Sequence, residues 1–134
     1  MAIRRVLDAR DVRVVYQPVV DLRTQKVFAY EALVRSKSPE FESPMALFKA
    51  AIDHSCAGEL GRLIRELAVA GCPDHHLFLN VHPAELNERY LVQTDDPIFD
   101  HAKDVYLEIT EGVPLSHFEL CKSVLSEVRG RGVY

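Results

Sequence analysis

Tryptophan is absent from the 134 residues, and cysteine is scarce: only Cys56, Cys72 and Cys121 occur. An odd count with no Cys-x-x-Cys pair argues against a disulfide framework and suits a reducing cytoplasm, where a free thiol acts as a small buried hydrophobe. The six histidines include no His-x-x-x-His pair, so zinc chemistry lacks its usual spacing. Long apolar runs are missing too. Nothing approaches the ~20 residues needed to cross a bilayer. The opening Met-Ala-Ile-Arg-Arg has no apolar stretch after its two charges, so no secretory leader is expected. A basic surplus is also lacking. Sixteen Lys and Arg against 20 Asp and Glu leave a net charge of −4, which gives no footprint for duplex DNA or RNA. One or two placed arginines could still hold a small anion. The chain shows no internal repeat and no linker.

What remains is a globular composition, with 48% hydrophobic and 27% charged residues, enough for a core rather than a disordered tail. Val12 to Val20 is rich in β-branched residues and reads as a strand, as does the alternating stretch Val27 to Arg35; the polar Asp21 to Lys26 could turn the chain between them. Ser43-Pro44 has the signature of a helix start, with Ser as N-cap and Pro in the first turn. That helix carries Leu47, Phe48, Ala51 and Ile52. A second helix is expected over Glu59 to Ala70, with Leu60, Leu63, Ile64 and Leu67 on one stripe and Gly71 as its stop. Short apolar strands follow at Leu77 to Val81, reaching His82, and at Val105 to Ile109. A last helix is expected over Pro114 to Arg129, with Phe118, Cys121, Leu125 and Val128 on one face and Gly130 as C-cap. His75-His76 is expected in a solvated loop. Apolar strands separated by helical crossovers imply an α/β fold with a mostly parallel sheet buried on both faces.

Strand side chains alternate faces with period 2. Gln17 shares a face with Val15 and Val19, Glu31 with Leu33 and Arg35, Asn80 with Phe78 and His82, and Glu108 with Tyr106. A carboxylate inside a parallel sheet is costly unless it is paired or binds a cation. The plain alternatives are an exposed Glu31 paired with Arg35, a structural Asn80 and a surface Glu108.

Four stretches then become specific in order: Tyr16-Gln17-Pro18-Val19-Val20-Asp21, Tyr30-Glu31-Ala32-Leu33-Val34-Arg35, Leu79-Asn80-Val81-His82-Pro83 and Leu107-Glu108-Ile109-Thr110-Glu111. Together they resemble the EAL domain family, named for the Glu-Ala-Leu triplet, from about Val12 to Tyr134. The resemblance implies a modified (β/α)8 barrel that hydrolyses cyclic di-GMP to linear pGpG with Mg²⁺ or Mn²⁺. It assigns Glu31, Asn80 and Glu108 as metal ligands, Arg35 and Gln17 as ligand contacts, and Glu111 as a brace for the loop beside the site. His82 departs from the family, which often has Ser there, and the Trp that many members carry after the Arg35 position is missing.

A (β/α)8 barrel takes ~250 residues, so the chain is expected to be the N-terminal half of one domain. The family's Asp-Asp-Phe-Gly motif and catalytic Lys would follow Tyr134; Asp95-Asp96 precedes a strand and is no substitute. The catalytic set is therefore not complete in these residues. Alone, they are expected to be inactive and to self-associate through strand edges or the inner face. The alternative is a degenerate, non-catalytic domain that senses cyclic di-GMP or docks a partner.

Overall fold

The computed structural model describes residues 2–86, 93, 95–109 and 118–134. Four strands, β1 (Val12–Asp21), β2 (Lys26–Ser36), β3 (His76–Val81) and β4 (Val105–Ile109), lie in one sheet in sequence order. β1 is antiparallel to β2, while β2, β3 and β4 run parallel. The α/β expectation stands, with a mostly parallel sheet and helical crossovers.

The antiparallel start follows from the turn. Asp21 Oδ1 accepts the backbone N–H of Arg23 at 2.8 Å, and Gln25 takes φ 60°, closing a tight hairpin that forces the two strands to neighbour each other. Just beyond it, Val19 pairs with Ala29 but Val20 with Val27, leaving Phe28 as an extra residue in β2. Such a bulge re-aims a side chain. Here the Phe28 ring stacks on His76, with 5.6 Å between centroids.

The crossovers follow their sequence signals closely. α2 (Pro44–Asp53) begins at Ser43, whose hydroxyl accepts the Ala46 N–H at 3.1 Å. α3 runs Ala57–Gly71, so Gly71 is its last residue rather than the stop beyond it, and Cys72 takes the cap position. α4 is a single turn, Pro83–Leu86. α5 is described over Phe118–Gly130; Pro114 to His117 and the side chains of Phe118 and Cys121 lie outside the described residues. The helix includes Gly130, and the left-handed position falls instead at Gly132, φ 88°. An unforeseen α1 (Ala2–Ala9) precedes β1 and buries Ile3, Val6 and Leu7, an i, i+3, i+4 stripe too short to stand out.

The helices cover one face of the sheet. Leu77, Leu79 and Val81 of β3 are fully buried there against Ala68 of α3 and Val124 and Val128 of α5. A second cluster packs α1, α2 and the start of α3 against Val12 and Val34. The opposite face differs from the expected two-sided burial: Phe78 and Tyr106 are half-buried, and Asn80 and Glu108 are exposed. Tyr134 lies alongside β4, its N–H donating to Val105 O and its carbonyl accepting from the Leu107 N–H.

Under the covered face sits a buried ionic knot. Arg65 of α3 is 1% exposed and donates to Glu85 of α4 at 2.8 Å and to Asp96 at 2.8 Å. Asp96 also accepts the Ile98 N–H, capping the 3-10 turn Pro97–Asp100. Gly61 makes room for this knot: a Cβ there would fall inside the Glu85 carboxylate. Burial pushes the Glu85 carboxyl up to about 7, with Arg65 opposing the rise.

Candidate metal and ligand face

Register, rather than sequence proximity, assembles the site. Gln17 lies directly across from Glu31, Glu31 is level with Phe78, and Asn80 is level with Glu108. All therefore belong to the face that the helices leave open. β2 and β4 flank β3, and Glu108 lies two residues further along than the Tyr106 level of Glu31, which sets the two roughly 12 Å apart at the backbone, with side chains on the same face. Burial, and then the like charge of Glu31, raise the Glu108 carboxyl above its ordinary range. Two carboxylates thus face a common space with the Asn80 amide between them.

Neither carboxylate has a protein partner among the described residues, and Glu31 and Arg35 form no ion pair there. Several carboxylates elsewhere, by contrast, are gripped by arginine: Glu59 by Arg4, Glu40 by Arg5, Glu66 by Arg10. The donors on the open face are two carboxylates and an amide oxygen, a hard-oxygen set suited to a divalent cation such as Mg²⁺, Mn²⁺ or Ca²⁺. Among the described residues no group of three His, Cys, Asp or Glu comes together, so any cation would draw its third protein oxygen from the amide.

The remaining expected positions divide clearly. Gln17 is exposed beside Glu31, although its strand runs opposite to the other three, so pairing rather than a C-terminal strand end places it there. Arg35 is half-buried near the C-terminal end of β2, with Nη1 donating to Val34 O at 2.7 Å. Glu111 lies outside the described residues. His82 caps α4, its Nδ1 accepting the Ala84 N–H at 3.1 Å, while its ring stacks on Phe48; burial lowers its pKa and favours the neutral ring. His76 is not in a loop but opens β3, half-buried against Phe28. Asp96 is a structural partner of Arg65, consistent with Asp95-Asp96 being no substitute for a catalytic pair.

Two features escape a reading of single strands. Arg13 of β1 pairs across from Arg35, putting two guanidiniums on the open face; extending the Gln17 and Val15 alternation by one more step would have shown it. Glu85 also accepts the His82 N–H at 2.8 Å, tying the buried knot to the end of β3 two residues past Asn80. No sequence signal pairs Arg65 with residues 20 and 31 positions away.

The comparisons with known proteins identify the family and the fold. A family model described as "EAL domain" matches residues 1–134. The chain belongs to the EAL domain family. Its Glu31-Ala32-Leu33 is the family's triplet, set in the middle of β2. A curated Escherichia coli relative, "Probable cyclic di-GMP phosphodiesterase PdeI", is 31% identical over 127 residues, covering 83% of this chain and 16% of its own. An uncharacterized Mycobacterium tuberculosis protein is 32% identical over 147 residues, covering 98% of this chain and 24% of its own. The chain thus spans a quarter or less of these relatives. Among solved structures, a Klebsiella pneumoniae BlrP1 manganese/cy-diGMP complex is 25% identical with a TM-score of 0.68, over 92% of this chain and 33% of the other. Within this EAL chain, no helix among the described residues is long and apolar enough to cross a membrane.

Proposed function

We propose that residues 1–134 form the N-terminal part of a metal-dependent cyclic di-GMP phosphodiesterase domain acting in the cytoplasm and yielding linear pGpG. The observation that carries this reading is the open face itself: Glu31, Asn80 and Glu108 share it without a protein partner among the described residues, whereas Glu59, Glu40, Glu66 and Glu85 are each held by an arginine. Glu31, Asn80 and Glu108 would hold Mg²⁺ or Mn²⁺. Such a cation, when bound, makes water a better nucleophile and neutralises charge on the reacting phosphate. Arg35 presents a guanidinium to a ligand phosphate, which it can grip bidentately. Gln17, beside Glu31, supplies a neutral donor and acceptor for the sugar or base, and Glu111 braces the following loop. The half-buried Phe78 and Tyr106 rings, 4.8 Å apart and stacked, give the ligand an apolar floor.

The test is hydrolysis of cyclic di-GMP by the full-length protein with Mn²⁺. Linear pGpG is expected, with loss of at least a hundredfold in rate for Glu31→Ala or Asn80→Ala, the scale on which preorganised electrostatic groups act. Intact cyclic di-GMP after incubation with the wild type would overturn the reading. Turnover is assigned to the whole domain, so purified residues 1–134 should not cleave the dinucleotide. They should also self-associate, because Phe28, Val20 and Val27 stand exposed near the β1–β2 hairpin and no strand of the described residues pairs with the outer edge of β1. A monodisperse monomer by light scattering would contradict that part.

A further inference from the structure

Arg13 and Arg35 face each other across β1 and β2 on the open side of the sheet. Directly opposed like charges destabilise a strand pair. The chain keeps this pair although six other arginines, Arg4, Arg5, Arg10, Arg62, Arg65 and Arg131, each meet a carboxylate among the described residues; Arg23 and Arg129 meet none, but neither is paired across a strand from a like charge. Arg13 and Arg35 meet none. Asp11, two residues before Arg13, forms no ion pair with either; its carbonyl instead accepts the Lys37 N–H at 2.9 Å, which adds a third cationic residue at this end of the hairpin. Arg13 is exposed, and the only hydrogen bond of the Arg35 guanidinium among the described residues goes to Val34 O. Two unneutralised forks on one rung form a ready receptor for one tetrahedral anion. The pair stands four residues, roughly 13 Å of strand, from Glu31, so an anion held there is separate from one reacting at the carboxylates.

We propose that Arg13 and Arg35 form a phosphate clamp at the mouth of the site, and that Arg13, which lies outside all four family motifs, is a substrate-binding residue of this domain. Resting on the phosphodiesterase reading, the clamp holds the phosphate of the cyclic dinucleotide that is not being cut, while the cleaved phosphate sits at Glu31, Asn80 and Glu108. A group bound equally in ground and transition states contributes to KM and not to kcat.

The experiment compares the full-length wild type with Arg13→Gln and Arg13→Lys. Losing a charge-assisted contact should raise KM for cyclic di-GMP by about 10- to 100-fold with kcat unchanged. Arg13→Lys should recover only part of this, because an ammonium lacks the fork. The salt dependence of KM should flatten in Arg13→Gln. Its melting temperature without ligand should stay level or rise, since a repulsion is removed; a purely structural Arg13 would show a fall. An unchanged KM, or a fall in kcat alone, overturns the clamp. If the wild type leaves cyclic di-GMP intact, the phosphodiesterase reading fails first, and inorganic pyrophosphate then decides on the clamp. A rise in melting temperature for the wild type but not for Arg13→Gln supports it, and equal rises refute it.

Discussion

The two faces of the sheet solve opposite problems. On the covered face, Leu77, Leu79 and Val81 disappear beneath α3 and α5, and even the buried charges are matched: Arg65 is held by Glu85 and Asp96. On the open face, Glu31 and Glu108 flank β3, Arg13 opposes Arg35, and none of the four finds a counter-charge among the described residues. Burial with compensation makes a scaffold, and exposure without compensation makes a receptor. The same strands serve both, because alternate residues point to opposite sides. A strand such as β3 can place Leu79 in the core and Asn80 in the site.

That contrast can be broken most severely at Arg65. Arg65→Met should lower stability by about 3–5 kcal/mol in a denaturant titration, because Glu85 and Asp96 would remain buried without their cation. Leu79→Ala should cost about 2–5 kcal/mol through the lost contacts and the cavity left behind. Phe78→Ala, one residue earlier but on the open face, should cost clearly less, since the ring is only half-buried. Equal losses for Leu79 and Phe78 would erase the distinction between the faces.

Glu108→Gln should behave in the opposite sense to Arg65→Met. Removing one of two facing carboxylates relieves repulsion, so the unliganded melting temperature should hold or rise slightly while metal-dependent turnover disappears. A further effect concerns pH. Glu85 keeps its proton in the fold up to about 7 but releases it near 4.5 when unfolded. Between those values the folded state binds more protons, so this residue makes stability fall as pH rises from about 4.5 to about 7, then level off. Glu85→Gln should flatten that slope in unfolding measurements across the same window.

Much of this arrangement was legible in the amino-acid sequence. The strands at Val12, Val27, Leu77 and Val105, the Ser43 cap and the face shared by Glu31 and Arg35 follow from local signals: β-branching, capping chemistry and period-2 alternation. The motifs around Gln17, Glu31, Asn80 and Glu108 pointed to one family, and the register brings those residues to one face. What stayed hidden depends on contacts between distant segments. α1 carries only one apolar stripe and gains its stability from packing on α2 and α3. The partners of Arg65 come from two separate elements. His76 looks like a loop residue until Phe28, displaced by the bulge, stacks on it. Alternation alone puts Arg13 on the face of Gln17, but its pairing with Arg35 required knowing the register of β1 against β2, which shifts at the Phe28 bulge.

The central claim is that the open face leaves its charges uncompensated in order to bind a cation and a phosphodiester. Calorimetric titration of Mn²⁺ into the full-length protein tests it most directly, with the wild type compared against the double variant Glu31→Gln, Glu108→Gln. The account predicts saturable binding by the wild type and a loss of at least tenfold in affinity for the variant, with both proteins equally folded by circular dichroism. Equal affinity in the two proteins, or no binding by the wild type, would contradict it.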